Sequence, residues 1–197
     1  MKKTIKTLIC LCLCAVMALS FSSCSKTKMT EENIIETVET VETALKTFDT
    51  ETLGKYVKSS TLDYIIKLAD SHDQFVQLGC KIFENVVLDV KEVDLKNETV
   101  TISVSNKKID QVAENFANSL KSKYSTFELL KMLDNEEFLN TSLSDLRYKM
   151  STANETVQAD VTVKVSKGDK NLVLDLDETA EDAFSGGALN AIKKIYG

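Results

Sequence analysis

The chain has 197 residues, 43% of them apolar and 27% charged, with a formal net charge of −6. That length suits one domain rather than two, and the composition is globular, which excludes disordered, fibrous and collagen-like chains. There is no Pro and no Trp and only six Gly, a balance that argues for a helix-rich fold, and a single His (His72) with a single Arg (Arg147) excludes a His-cluster metal site.

Met1 to Lys6 is a short basic segment, and Leu8 to Phe21 is almost wholly apolar. A run of that length is shorter than the roughly 20 residues a membrane-crossing helix needs, but it fits the core of a signal peptide. It ends in Leu19-Ser20-Phe21-Ser22-Ser23-Cys24, small residues directly before a cysteine, and so resembles a bacterial lipoprotein signal. That resemblance implies cleavage before Cys24 and lipid on its sulfur, with residues 1–23 removed and 24–29 as the tether. The alternative is ordinary secretory cleavage after Ser23. Residues 1–23 carry three Lys and no acid, which leaves 21 basic against 30 acidic residues, a net charge of −9. Such a domain is repelled by nucleic acid and by anionic membrane surfaces, so membrane attachment would come from the lipid.

Cys10, Cys12 and Cys14 leave with the signal, and Cys24 is taken by lipid. Cys80 is then a lone thiol, and the fold has no internal disulfide. His72 lies eight residues before it, about 12 Å of helical rise, which disfavours a thiolate–imidazole pair and leaves Cys80 as a buried structural residue.

Thr30 is placed to cap a helix whose apolar stripe runs Ile34, Ile35, Val38, Val41, Leu45 and Phe48. Leu53, Tyr56 and Val57 suggest a short second helix. The helical period continues through Leu62, Ile65, Ile66 and Ala69, and again through Phe75, Val76, Gly79, Ile82 and Phe83. From Val86 the period changes to two. Val86, Leu88 and Val90 share a face, Val93 and Leu95 fall on the other, and the slip near Lys91-Glu92 reads as a β-bulge. A turn at Lys96-Asn97-Glu98 leads to Val100, Ile102 and Val104, completing a hairpin with one wet and one dry face. Helical stripes return at Ile109 to Leu120, after a capping-box sequence at Ser125 to Glu128, and from Leu139 to Met150. Val157 to Val165 alternates as a strand, Lys167 to Lys170 turns, and Leu172, Leu174 and Leu176 return. Glu178 to Phe184 is a last short helix, ended by Gly186-Gly187 in left-handed conformations, and the tail is weakly helical. Four antiparallel strands with a dry face need a cover, which the helices supply, so the class is α+β within one domain, residues 30–197.

The stretch Ala44-Leu45-Lys46-Thr47-Phe48-Asp49-Thr50-Glu51-Thr52-Leu53 with Tyr56-Val57, and the closing Leu172 to Glu178 with Phe184 and Gly186-Gly187, resemble small lipoproteins of Gram-positive, Clostridia-like bacteria. Those proteins carry a cystatin-like or nuclear-transport-factor-like cone domain. The resemblance covers roughly residues 30–190. It implies helices laid across a strongly bent antiparallel sheet, a helical insertion between two hairpins, and a cone able to enclose a pocket. Lys91-Glu92 is the bulge such bending requires.

Enzymes of that fold commonly use Asp/His or Asp/Arg pairs inside the cone. Here His72, flanked by Asp70 and Asp73, reads either as a general base or as part of a solvated turn. Asp145 and Arg147 sit two apart, so on a helix they face different directions. The acids Asp175, Asp177, Glu178, Glu181 and Asp182 suggest calcium, but they lack loop spacing and a central Gly, and Asp177 as an N-cap accounts for most of the run. The five Tyr form no stacking cluster, and there is no nucleophile elbow or phosphate loop. No cofactor or catalytic set is indicated. The expected function is a lipid-anchored binding or interaction module on the outer face of the cell membrane, taking an envelope protein or a small apolar ligand. The alternative is a small hydrolase or isomerase using His72 or Asp145. Because the strand faces are Val, Leu, Ile and Ala, the sheet interior should be filled and apolar, which favours binding over catalysis.

Overall fold

The computed structural model describes residues 27–196. The segment expected to be a signal peptide, with Cys10, Cys12 and Cys14, and the expected lipidation residue Cys24 lie outside the described residues. The chain is α+β. In order it forms α1 (Glu31–Thr47), α2 (Thr50–Tyr56), β1 (Val57–Lys58), α3 (Ser60–Ala69), α4 (Asp73–Phe83), β2 (Val87–Asp94) and β3 (Thr99–Lys107). There follow α5 (Asp110–Lys123), α6 (Thr126–Met132), α7 (Glu136–Thr152), β4 (Thr156–Lys167), β5 (Leu172–Asp175), α8 (Glu178–Phe184) and α9 (Ala188–Tyr196).

The local signals in the sequence are realised as hydrogen bonds. Thr30 caps α1 by accepting from the Asn33 N–H at 3.3 Å, and Asp177 caps α8 by accepting from the Ala180 N–H at 2.9 Å. Ser125 and Glu128 form a reciprocal capping box at α6. Gly186 and Gly187 hold φ of 59° and 89°, where a side chain would be strained.

The strands form one sheet in the order β1-β5-β4-β3-β2. The two expected hairpins are joined by antiparallel pairing of β3 with β4, in which Ile102 lies opposite Val161. The register of β2 slips between Val90 and Glu92, the bulge expected there. Two features differ from the sequence reading. There are five strands rather than about four, and the sheet is mixed, because Val57 and Lys58 run parallel to Leu174 and Asp175. Val57 ends the stripe of α2 and reads as helix; it becomes a strand because the exposed edge of β5 offers unpaired backbone groups. At the other edge the Leu88 N–H donates to the Glu42 carboxylate of α1 at 2.9 Å. That bond ties α1 to β2 and blunts the edge.

The dry face carries Val100, Ile102, Val104, Val161, Val163 and Val165, all buried beneath helices that include α1 and α8. The wet face is polar, with Thr101 and Thr162 hydroxyls 3.2 Å apart. Asn106, fully buried at the end of β3, donates to the carbonyls of Ile82 at 3.1 Å and Phe184 at 2.8 Å. One amide thus satisfies the otherwise orphaned ends of α4 and α8.

Phe48 follows α1 with φ of 48°, and its buried ring stacks on Phe83 at a centroid distance of 6.2 Å. The ring also lies flat against Gly79, where a Cβ would overlap it. In an open helix interior, Gly79→Ala would add about 1 kcal/mol of stability. Here overpacking should reverse the sign by about 1–3 kcal/mol. The expected outcome is a fall in Tm of several degrees in a thermal melt followed by circular dichroism, and a rise in Tm would contradict this packing.

Candidate functional site

Helices α3 to α7 carry more apolar surface than the sheet can cover. The insertion α5–α7 turns its apolar stripes toward α3 and α4, and the stripes leave a partly open pocket between them. Its free volume is about 70 Å³, room for about two waters at the roughly 30 Å³ each takes in the liquid. Phe75, Phe116 and Phe138 form aromatic walls, and Leu143, Leu146 and Met150 line it from α7. Among the described residues, Tyr64 and Ser142 are the only polar members of the lining, and no charged side chain and no strand residue contributes to it. A cavity so lined favours apolar occupants over water. The cavity therefore sits among helices, while the dry face of the sheet is packed solid.

One wall is lightly held. Seven-residue α6 buries only Leu129, which packs with Ala117 in a small cluster separate from the main core. Leu120, Tyr124 and Phe138 lie against that cluster, with Tyr124 edge-on to Phe138 at 5.8 Å. Phe127 and Leu130 point outward, 66% and 46% exposed, and the Lys131 ammonium lies 4.4 Å over the Phe127 ring. Few buried contacts and an exposed apolar face make α6 the element of this pocket that opens at least cost.

The residues singled out in the sequence are dispersed. His72 stands at the N-cap of α4 without a capping bond, its ring tilted on Phe75 at 6.3 Å, and it does not line the pocket. Asp145 pairs with Lys149 at 2.6 Å, whereas Arg147 turns to Gln77 and, at 3.0 Å, to Ser144. The two diverge as their spacing requires. Cys80 is half-buried rather than fully buried, because α4 leaves it at the margin of the core. Its thiol donates to the Thr47 carbonyl at 3.4 Å, and burial pushes its pKa up, away from the thiolate a nucleophile needs. Among the described residues no group of three His, Cys, Asp or Glu side chains could hold a metal ion.

The acidic run divides by role. Asp177 caps α8, Asp175 accepts from the Ser166 hydroxyl at 3.1 Å, and Glu181 is buried at 2% exposure. The Glu181 carboxylate accepts from the hydroxyls of Ser59 at 2.5 Å and Thr61 at 2.8 Å, and pairs with Lys193 at 2.8 Å. Ser59 is itself the cap of α3, accepting from the Leu62 N–H at 3.0 Å. Sequence reasoning grouped Glu181 with its acidic neighbours; the missed signal is that it lies three residues before Phe184, on the buried face of α8.

Burial alone would raise the Glu181 pKa, but the bonds from Lys193, Ser59 and Thr61 outweigh it and hold the carboxyl below its usual range. A carboxylate with a lowered folded pKa stabilises the fold above the unfolded value near 4.5, and that contribution disappears as pH falls through the folded pKa. Glu181→Gln should therefore cost about 1–3 kcal/mol at pH 7, with the gap from the parent narrowing below about pH 4 in denaturant titrations. A constant gap across that range would show that the charge is not what the network uses.

No protein-family model matches this chain, and neither the curated proteins nor the solved structures compared with it contain a match.

Proposed function

We propose that this protein is a lipid-anchored extracytoplasmic binding module that takes a small apolar ligand in the pocket between α3 and α7. The observation that carries the reading is the pocket: partly open, uncharged among the described residues, walled by Leu and Phe, and separate from the packed face of the sheet. The anchoring half rests on the basic start, the apolar run and the small residues before Cys24. Among the described residues no helix is long and apolar enough to cross a membrane. The cystatin-like cone of small Gram-positive lipoproteins is the architecture we propose for the domain; the α+β class, the paired hairpins and the bulge beside Lys91 support it.

The described chain also shortens the tether. Met29 packs against the core and the Lys28 carbonyl accepts from Asn33 at 2.9 Å. With Cys24 lipidated, only three residues would separate it from Lys28, a reach of at most roughly 14 Å when fully extended. A domain held so close to a bilayer is well placed for ligands that partition into lipid, and its acidic surface argues against nucleic acid.

Two outcomes test the reading. Cys24→Ser should abolish metabolic incorporation of labelled palmitate and release the protein from the membrane fraction, whereas persistent labelling would disprove anchoring at this residue. The full chain in amphipol should enhance the fluorescence of N-phenyl-1-naphthylamine saturably, and Leu143→Trp should lower that binding tenfold or more by filling the cavity. Unchanged binding by a folded Leu143→Trp protein would place the probe elsewhere and remove the basis for a pocket ligand.

A further inference from the structure

The apolar pocket is not isolated. On the outer side of α5 and α7 lies an open cleft of about 540 Å³, lined by polar groups that include Asn115, Ser119, Lys123, Thr141, Asp145 and Lys149. Phe116, Leu120 and Ser142 line both the pocket and the cleft. The two spaces therefore share a wall, dry on the pocket side and mixed on the cleft side, where Val112, Phe116 and Leu120 lie beside the polar groups. Such a composite surface is complementary to a molecule with an apolar tail and a polar head.

The charges in the cleft select the head. Asp145 is neutralised by Lys149 at 2.6 Å. Lys123, exposed at the end of α5, makes no ion pair or hydrogen bond among the described residues. The three groups sum to one positive charge, on a chain whose net charge is −6. Long-range repulsion is screened within about 8 Å at physiological salt, so this local excess decides what binds there. Hydroxyls of Ser119, Thr141 and Ser142 add hydrogen-bond donors for head-group oxygens.

We infer that the pocket and the cleft form one amphiphile site, in which a single acyl tail lies among Phe75, Phe116 and Leu143 while a carboxylate or phosphate head sits outside the Phe116–Leu120–Ser142 seam against Lys123 and Lys149. The inference rests on the apolar-ligand reading above and adds the head group. The free volume of about 70 Å³ accommodates only a short piece of tail as it stands, and a longer tail enters by displacing α6, of whose residues only Leu129 is fully buried.

The test uses the full chain in amphipol and three probes with the same twelve-carbon, diazirine-bearing tail: a carboxylate, a phosphate monoester and an alcohol. Half-saturating concentrations are read from photolabelling, and labelled peptides are mapped by mass spectrometry. All three probes should label peptides of α3, α4 or α7. Lys123→Gln should raise the half-saturating concentration about threefold for the two anionic probes and leave the alcohol unchanged. Asp145→Asn, which frees Lys149, should tighten the anionic probes and again spare the alcohol. Both residues are exposed and far from the core, so both variants keep the parent Tm. The stronger of the two anionic probes identifies a fatty-acid or a phospholipid source. Pocket labelling that is indifferent to both substitutions would overturn the head-group assignment while leaving the apolar-ligand reading intact. Failure of all three probes to label the pocket would overturn both.

Discussion

The arrangement of helices over this sheet depends on one buried carboxylate. Glu181 is acceptor to the hydroxyls of Ser59 and Thr61 at the start of α3 and to the ammonium of Lys193 on α9. Two consecutive helices, α8 and α9, and a third more than a hundred residues upstream thus meet at one charge. Removing that charge from water is costly, and only the convergence of donors makes its ionised form the stable one. Through it α9 is oriented, α9 packs along α5, and Ala188 of α9 and Ala113 of α5 both border the pocket. The mooring lies outside the cavity, yet it positions two of its walls.

A second set of constraints deals with the ends of elements. Asn106 satisfies the last carbonyls of α4 and α8, and Asn171 donates to the Lys55 carbonyl at 2.9 Å, closing α2 over β5. Buried amides are favourable only when their donors are engaged, and each such bond specifies one packing of the helices it joins. Phe48 works differently. Its left-handed backbone is tolerated because its ring is held between Phe83 and Gly79, so shape complementarity offsets local strain. Polar hubs and one aromatic lock together leave the insertion α5–α7 fastened at its two ends, where Lys108 N–H reaches the Glu155 carbonyl at 2.9 Å and Ile109 N–H that of Gly186 at 2.9 Å. Its middle, α6, is free to be the weakest part.

That distribution of stability is consistent with the binding role proposed above. A cavity sealed on every side by the main core would exchange ligand only by global opening. Here the wall that closes it is a short helix resting on a satellite cluster, with Phe127 and Leu130 already facing solvent. On the proposed reading, the neighbouring cleft would leave an amphiphile's head at a rim with polar groups, and recognition would rest on shape and desolvation.

Residues acting through their immediate neighbours were legible in the sequence. Apolar periodicity located the helices and the two hairpins, the caps at Thr30, Ser125 and Asp177 were readable from residue type and spacing, and the slip of parity after Val90 marked the bulge, because these effects operate within a few residues. Contacts between distant segments were decided only in three dimensions. Val57-Lys58 became a strand because β5 presented a free edge more than a hundred residues later. Glu181 became the central buried charge because Ser59, Thr61 and Lys193 converge on it. The pocket arose where the stripes of α3, α4, α5 and α7 failed to close completely. Periodicity reports that a face is apolar and says nothing about which face it meets or what gap remains, since packing and electrostatic partners depend on distances that spacing along a chain does not encode.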